Sequence, residues 1–269
     1  MVAALPPEPP QSAIVVTGKA LPDPKAERVY DVQRITRLRI ERSPSHELDQ
    51  LLKEIPGLQL FRRSDARSGH PTSQGVTLRA LGGNASSRAL LVLDGVPQAD
   101  PFGGWVNWPA YDPQDLAEIR VVRGGGSVAN GPGALAGTIE MTSRSDTGLS
   151  GEVDAGSRNS LEARARLGVE AGGGVLSISG RGERSDGFIP VTASTRGPAD
   201  EPAPYHEWSS RARWVAPVGS STEVQASIDG FHDSRTRGTD FSVNRTNGAD
   251  ASARLVGHGS WQWTALAYW

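Results

Sequence analysis

The chain of 269 residues is long enough for one large or two ordinary domains, and its net charge of −2 gives no general attraction to nucleic acid or to an anionic surface. It contains no cysteine, which excludes disulfides, thiolate catalysis and cysteine-ligated zinc. No segment is apolar for the roughly 20 residues of a transmembrane helix, and Met1–Ala4 lack the basic and apolar parts of a signal peptide, so the expectation is a chain that starts after processing or whose true start is missing.

Residues 1–30 are rich in proline, alanine and charge and are predicted to form an extended tail. The run Ala13-Ile14-Val15-Val16 inside it is β-prone but too short to bury itself. Further on, Ser43 can cap a helix and Pro44 suits its first turn. Leu48, Leu51, Leu52 and Ile55 follow at helical spacing, and Pro56-Gly57 stops the element. A short strand is predicted over 58–61, a polar loop over 62–75, and an alternating strand over 76–81. The run "RALLVLDGVP" reads as a buried strand ended by a turn at Asp94-Gly95. Asp112-Pro113 opens a short helix, and "EIRVVRG" (118–124) is a further strand. Up to here the mixture is that of a small α+β domain.

Beyond about residue 148 the pattern changes to strict alternation. Leu161, Ala163, Ala165, Leu167 and Val169 share one face, and Glu162, Arg164, Arg166 and Glu170 share the other. "LSISGRGE", "EVQASIDG" and "WQWTALAYW" repeat the rule, for about seven strands of roughly ten residues, a length that crosses a bilayer at a tilt. Tight turns at 171–174, 217–221 and 257–260 alternate with long polar loops at about 185–206 and 235–249; "SRNS" is a short hairpin on the long-loop side. A soluble antiparallel sandwich also alternates. The apolar faces here are rich in alanine and glycine and would pack poorly as a core. Trp208, Trp214, Trp261 and Trp269 sit near strand ends, as in the aromatic girdles of membrane barrels.

Catalytic constellations are absent, and the reading is not that of an enzyme. The five histidines have no metal-ligand spacing, so no metal or cofactor is expected. "VVRGGGSVANG" superficially matches a dinucleotide fingerprint, but Gly131-Pro132-Gly133 forbids the helix such a site needs. Asp94 and Asp100 stand in turn contexts, and turn chemistry accounts for them. The loop 98–112 carries Phe102, Trp105, Trp108 and Tyr111, aromatics that can either stack on a ligand or pack the loop down.

Taken together, these segments resemble the TonB-dependent outer-membrane receptor family. "IVVTG" (14–18) is similar to a TonB box, and "ELDQLLKEIPGLQLF" resembles the opening of the family's plug domain. "VTLRALGGNASSRALLVLDGVP" resembles the next plug block, with Arg79, Asp94 and Gly95 in register. "EIRVVRGGGSVANGPGALAGTIEMTSR" resembles the last, keeping Arg123, Gly124, Ser127, Gly131, Gly137 and Ile139. Ala80, Gly125, Asn130 and Ala136 depart from the family's usual residues.

The resemblance implies a tail with its box (1–30), an α+β plug domain (31–146), and antiparallel transmembrane β-strands of an incomplete outer-membrane β-barrel (147–269). It implies a location in the outer membrane of a Gram-negative bacterium, among its lipids. It also implies energised uptake of a scarce small-molecule or metal-chelate ligand: a ferric siderophore, cobalamin, haem or an oligosaccharide. TonB would engage Ile14, Val15, Val16, Thr17 and Gly18 by strand pairing. The ligand would meet plug loops 62–75 and 98–112, with Arg62, Arg63, His70, Phe102, Trp105, Trp108 and Tyr111 as candidate contacts. Seven strands cannot close around such a plug, so the expectation is an N-terminal part of a longer receptor. A signalling receptor is disfavoured, because only about thirteen residues precede Ile14. A soluble all-β binding protein is the other alternative.

Overall fold

The structure, a computed structural model, describes Gly18 and residues 31–62, 64–124 and 133–269. Ile14 to Thr17, Arg63, Gly131 and the rest of the predicted tail lie outside the described residues.

The first half is a mixed sheet with two short helices. β1 (Asp31–Thr36) leads into α1 (Arg37–Glu41), and α2 (Leu48–Leu52) follows. β2 (Gln59–Leu60) and β3 (Val76–Thr77) make a small pair of their own. β4 (Ala89–Leu93), β5 (Val96–Pro97), β6 (Leu116–Arg123) and β7 (Gly137–Ser143) complete the five-stranded sheet, in the order β1-β6-β7-β4-β5. All its pairs are antiparallel except β4 with β7. The apolar run "ALLVL" forms β4 because it is covered on both faces, which is what a continuous hydrophobic strand requires. Ile40, Leu48, Leu51, Leu52, Leu91, Ile119, Ile139 and Met141 close one core.

Two local expectations change and a third holds. The helix predicted from Ser43 begins only at Leu48, because the Ser43 and Ser45 hydroxyls accept the N–H groups of Ser45 and Glu47 and hold a turn there. The strand predicted over 76–81 stops at Thr77, since Arg79 and Ala80 take φ of 63° and 52°. The predicted turn at Asp94-Gly95 is present, with φ of 48° and 90°, as a two-residue hairpin between β4 and β5. At Gly137 (φ 134°), an added Cβ would stand 2.1 Å from the Val122 carbonyl oxygen, so only glycine lets β7 lie against β6 here.

The second half is a meander of seven antiparallel strands: β8 (Gly148–Ala155), β9 (Leu161–Ala171), β10 (Gly174–Ser185), β11 (Tyr205–Val218), β12 (Thr222–Arg235), β13 (Asn244–His258) and β14 (Gln262–Tyr268). Each pairs with its sequence neighbours, and β8 and β14 form the two edges. Short turns lie at 172–173, 219–221 and 259–261; the loops at the opposite end include the long one at 186–204. The second long loop is shorter than expected, because Asn244 to Ala249 join β13 and pair with β12.

The burial of this sheet is inverted. Along β9 the apolar residues Leu161, Leu167 and Val169 are exposed, and Glu162, Arg164 and Arg166 between them are buried. Ile178 and Ile228 are 50% and 59% exposed, whereas Arg181, Arg213 and Arg235 are at most 5% exposed. A soluble sandwich would bury the opposite face. This wall turns its charges inward onto the first half of the chain and its hydrocarbon outward.

Candidate functional site

The inward face of the wall meets the plug-like half through ion pairs and hydrogen bonds, which run from the long-loop end to the short-turn end.

At the long-loop end lies the loop 62–75. Arg235, the last residue of β12, donates to the Ala66 carbonyl and pairs with Asp233 at 2.7 Å. His70 is half-buried; its Nδ1 accepts the Thr72 N–H at 3.2 Å, and its carbonyl accepts from Gln74 at 3.1 Å. Burial, with Arg237, Arg62 and Arg235 nearby, keeps the His70 imidazole below its usual pKa. Arg62 is exposed. A cleft of about 320 Å³ opens here between Asp65, Arg67, Arg158, Phe188 and Tyr205.

The loop 98–112 is tied to the first one by the Val106 N–H, which donates to the Gln74 carbonyl. Asp100 shapes it by accepting the N–H groups of Phe102 and Gly103 at 2.9 and 2.8 Å. Its four aromatics divide. Phe102 is 97% exposed and Trp105 half-buried, but Trp108 and Tyr111 are 1% and 8% exposed, within the core. Trp108 and Tyr111 therefore present no free face to a ligand. The Trp108–Ala110 turn packs against β11 and β12.

One level further in, Glu47 at the start of α2 accepts from Arg67 of the loop at 2.7 Å and from Arg181 of the wall. Arg181 also donates to Glu162 at 2.9 Å and Glu183 at 2.8 Å, and Tyr205 donates to Glu183 at 2.6 Å. The neighbouring Glu207 carboxylate is buried without a hydrogen bond among the described residues, with Arg235 at 3.6 Å. Arg164 donates to Asp112 at 3.2 Å. Burial raises the Asp112 pKa in spite of Arg164. Burial and Asp112 raise Asp115 to about 6, and the Ser179 hydroxyl donates to it.

Deeper still, the Asp94 side chain accepts from the Ser143 N–H and hydroxyl at 3.0 and 2.6 Å, and from Arg211 at 2.8 Å, with Arg213 at 3.2 Å. Nearest the short turns, the Gly18 N–H donates to Glu223 at 3.3 Å, and its carbonyl accepts from Arg213 at 2.8 Å. Gly18 adopts φ of 61°, and a Cβ there would meet the Arg213 guanidinium.

The remaining motif residues stand apart from this interface. Arg79 and Ala80 form an exposed left-handed turn, with the Ala80 N–H donating to the Gly57 carbonyl. Arg123 donates to the Pro56 carbonyl at 2.8 Å and pairs with Asp31, and Gly124 follows β6. The wall partners of the plug-like half — Arg164, Arg181, Glu183, Arg211, Arg213 and Arg235 — were not singled out from sequence. Their one signal is that they occupy the polar face of alternating strands.

Residues 24–138 match the model of the TonB-dependent receptor plug domain. The vitamin B12 transporter BtuB of Vibrio vulnificus is 30% identical over 179 residues, covering 65% of this chain and 28% of that protein. The chain thus spans about a quarter of the length of the curated relatives it matches. Among solved structures, the siderophore receptor PirA from Acinetobacter baumannii superposes with a TM-score of 0.66 at 14% identity, over 88% of this chain and 39% of that one. The copper transporter OprC does so with 0.62 at 18% identity, over 88% and 36%. At those identities the likeness is one of fold. A matching plug model, a wall whose charged face encloses that part of the chain, and the same fold in solved receptors coincide: the chain carries a TonB-dependent receptor plug domain, and its fold, plug together with seven wall strands, is similar to that of the solved receptors.

Proposed function

We propose that this chain is the gate and part of the wall of an outer-membrane receptor that takes up a scarce, bulky ligand with energy delivered through TonB. The observation that carries the reading is the inverted wall enclosing a plug through charges rather than through an apolar core. Hydrocarbon facing outward on every strand suits lipid. An interface of ion pairs and hydrogen bonds can rehydrate contact by contact, so a plug held this way can be shifted by a pull that an apolar interface would resist.

In this reading Ile14–Gly18 pair as a strand with TonB, and residues 31–146 and 147–269 act as plug and wall. The ligand arrives at the long-loop end, where Arg62, Arg63, His70, Phe102 and Trp105 offer cationic and aromatic contacts. Among ligand classes a corrinoid comes first, since the curated relative of 30% identity is a vitamin B12 transporter, and a ferric siderophore second. In the receptor carrying this sequence, Val15→Pro should abolish energised uptake and leave ligand binding intact. Loss of binding as well, or undiminished uptake, contradicts the role given to the box.

A further inference from the structure

His46 stands immediately before Glu47, where the plug chain turns into α2. Three carboxylates of the wall surround its ring: Glu152 lies 3.9 Å from Nε2, and Asp154 and Glu162 lie 3.8 and 3.5 Å from Nδ1. Glu152 and Asp154 are alternate residues of β8, and Glu162 is the partner of Asp154 across the β8–β9 register, so one face of two strands supplies all three. These separations are too long for hydrogen bonds. Among the described residues the side chains of His46, Glu152 and Asp154 hold no hydrogen bond at all.

Glu162 adds an independent observation. It is nine-tenths buried, and its Oε1 is taken by Arg164 and Arg181. Its Oε2 is turned toward the His46 ring and accepts no hydrogen bond among the described residues, with Arg67 at 3.7 Å. Arg164 reaches Glu152 at 3.7 Å, whereas among the described residues Asp154 has only the imidazole within ion-pair range. Three acids thus converge on one ring, and the arginines beside them lie on Glu162 and Glu152 and leave Asp154 to the ring among the described residues.

We propose that His46, Glu152 and Asp154 form a binding site for a divalent transition cation of the Zn²⁺ type, bridging the plug to the first wall strand, with Glu162 supplying negative charge behind the ring. The donor atoms of the three ligands already lie within 4.8 Å of one another. A tetrahedral site with bonds of about 2.1 Å sets its donors about 3.4 Å apart, a contraction that side-chain rotation supplies. An imidazole nitrogen among carboxylates selects Zn²⁺-type ions over Ca²⁺ and Mg²⁺, which prefer oxygen throughout. Sequence spacing could not show the site, because residue 46 meets residues 152 and 154 only when the wall closes on the plug. The site is independent of the uptake reading, and either can fail alone.

The test is a titration of the full chain, refolded in detergent and stripped with chelator, using Zn²⁺ in competition with a chromogenic chelator. One Zn²⁺ per chain is expected, with affinity reduced at least tenfold by His46→Gln and by Asp154→Asn and unchanged by Asp240→Asn on an exposed loop. Should His46→Gln fail to fold, Glu152→Gln on a half-exposed strand position takes its place, with the same tenfold loss expected. Absence of stoichiometric binding, or binding that survives either ligand substitution, overturns the proposal.

Discussion

Arg211 of the wall donates to Asp94 at the tip of a plug hairpin at 2.8 Å, and Arg213 stands 3.2 Å from the same oxygen. Burial alone would raise the Asp94 pKa, but Arg213, Arg211 and the Ser143 hydrogen bonds outweigh it and hold it below the usual 3.8. A carboxylate with a depressed folded pKa stabilises fully above its unfolded value and loses that contribution as pH falls through the folded one. The anchor should therefore persist across neutral and mildly acid pH and fail only below about pH 4. Asp94→Asn leaves two guanidiniums buried beside a neutral partner, a loss of about 3–5 kcal/mol for such pairs. Hydrogen exchange of the β4–β7 amides at pH 7 should show it, as accelerated opening of the plug sheet that leaves the wall protected.

Asp49 in α2 predicts a different pH window. It is 1% exposed; its Oδ2 accepts the Ala66 N–H at 3.0 Å, and its Oδ1 is buried without a partner among the described residues. Burial, then the neighbouring Glu47, raise its pKa from 3.8 to about 6. Here the sign is reversed: the contribution is complete below the unfolded value and disappears as pH rises through about 6, a change of about 3 kcal/mol. Asp49→Asn should flatten the fall in plug stability between pH 4 and 7, measured by urea midpoints across that range. An unchanged slope assigns the pH dependence to another group.

The exposed and the buried aromatics of loop 98–112 should separate cleanly. Trp108→Ala removes a side chain that is 1% exposed and should cost about 3–5 kcal/mol of plug stability. Phe102→Ala, at a residue 97% exposed, should leave stability within about 0.5 kcal/mol and weaken ligand binding by the full receptor. Denaturant unfolding and equilibrium ligand binding on the same pair of variants check both halves.

The sequence made the wall legible because its signal is local. Leu161 through Val169 declare a strand and its two faces by alternation alone, and Asp94-Gly95 declares a hairpin by the backbone it needs. What lay hidden depends on residues far apart. β1 and α1 carry no strong pattern, and β1 exists because Asp31–Thr36 pair with β6 some ninety positions later. β7 lies parallel to β4 through a crossover that no short window records. Alternation puts the charged residues of the strands on one face without showing what covers each of them, whereas Arg181 and Arg213 are buried because a separate part of the chain fills the space before them. For the same reason Trp108 and Phe102, six residues apart, could not be told apart as core and surface.

The orientation of the wall is the central claim, and the cysteine-free sequence allows it to be measured directly. Spin labels at single cysteines replacing Leu167 and Ile228, which face outward, and Ser177 and Ser227, which alternate with the outward residues, can be placed in the reconstituted protein. Collisions with oxygen dissolved in the bilayer should be frequent at 167 and 228 and rare at 177 and 227. The reverse pattern, with the serine positions in contact with lipid or all four in water, would contradict a wall that faces its hydrocarbon to the membrane and its charges to the plug.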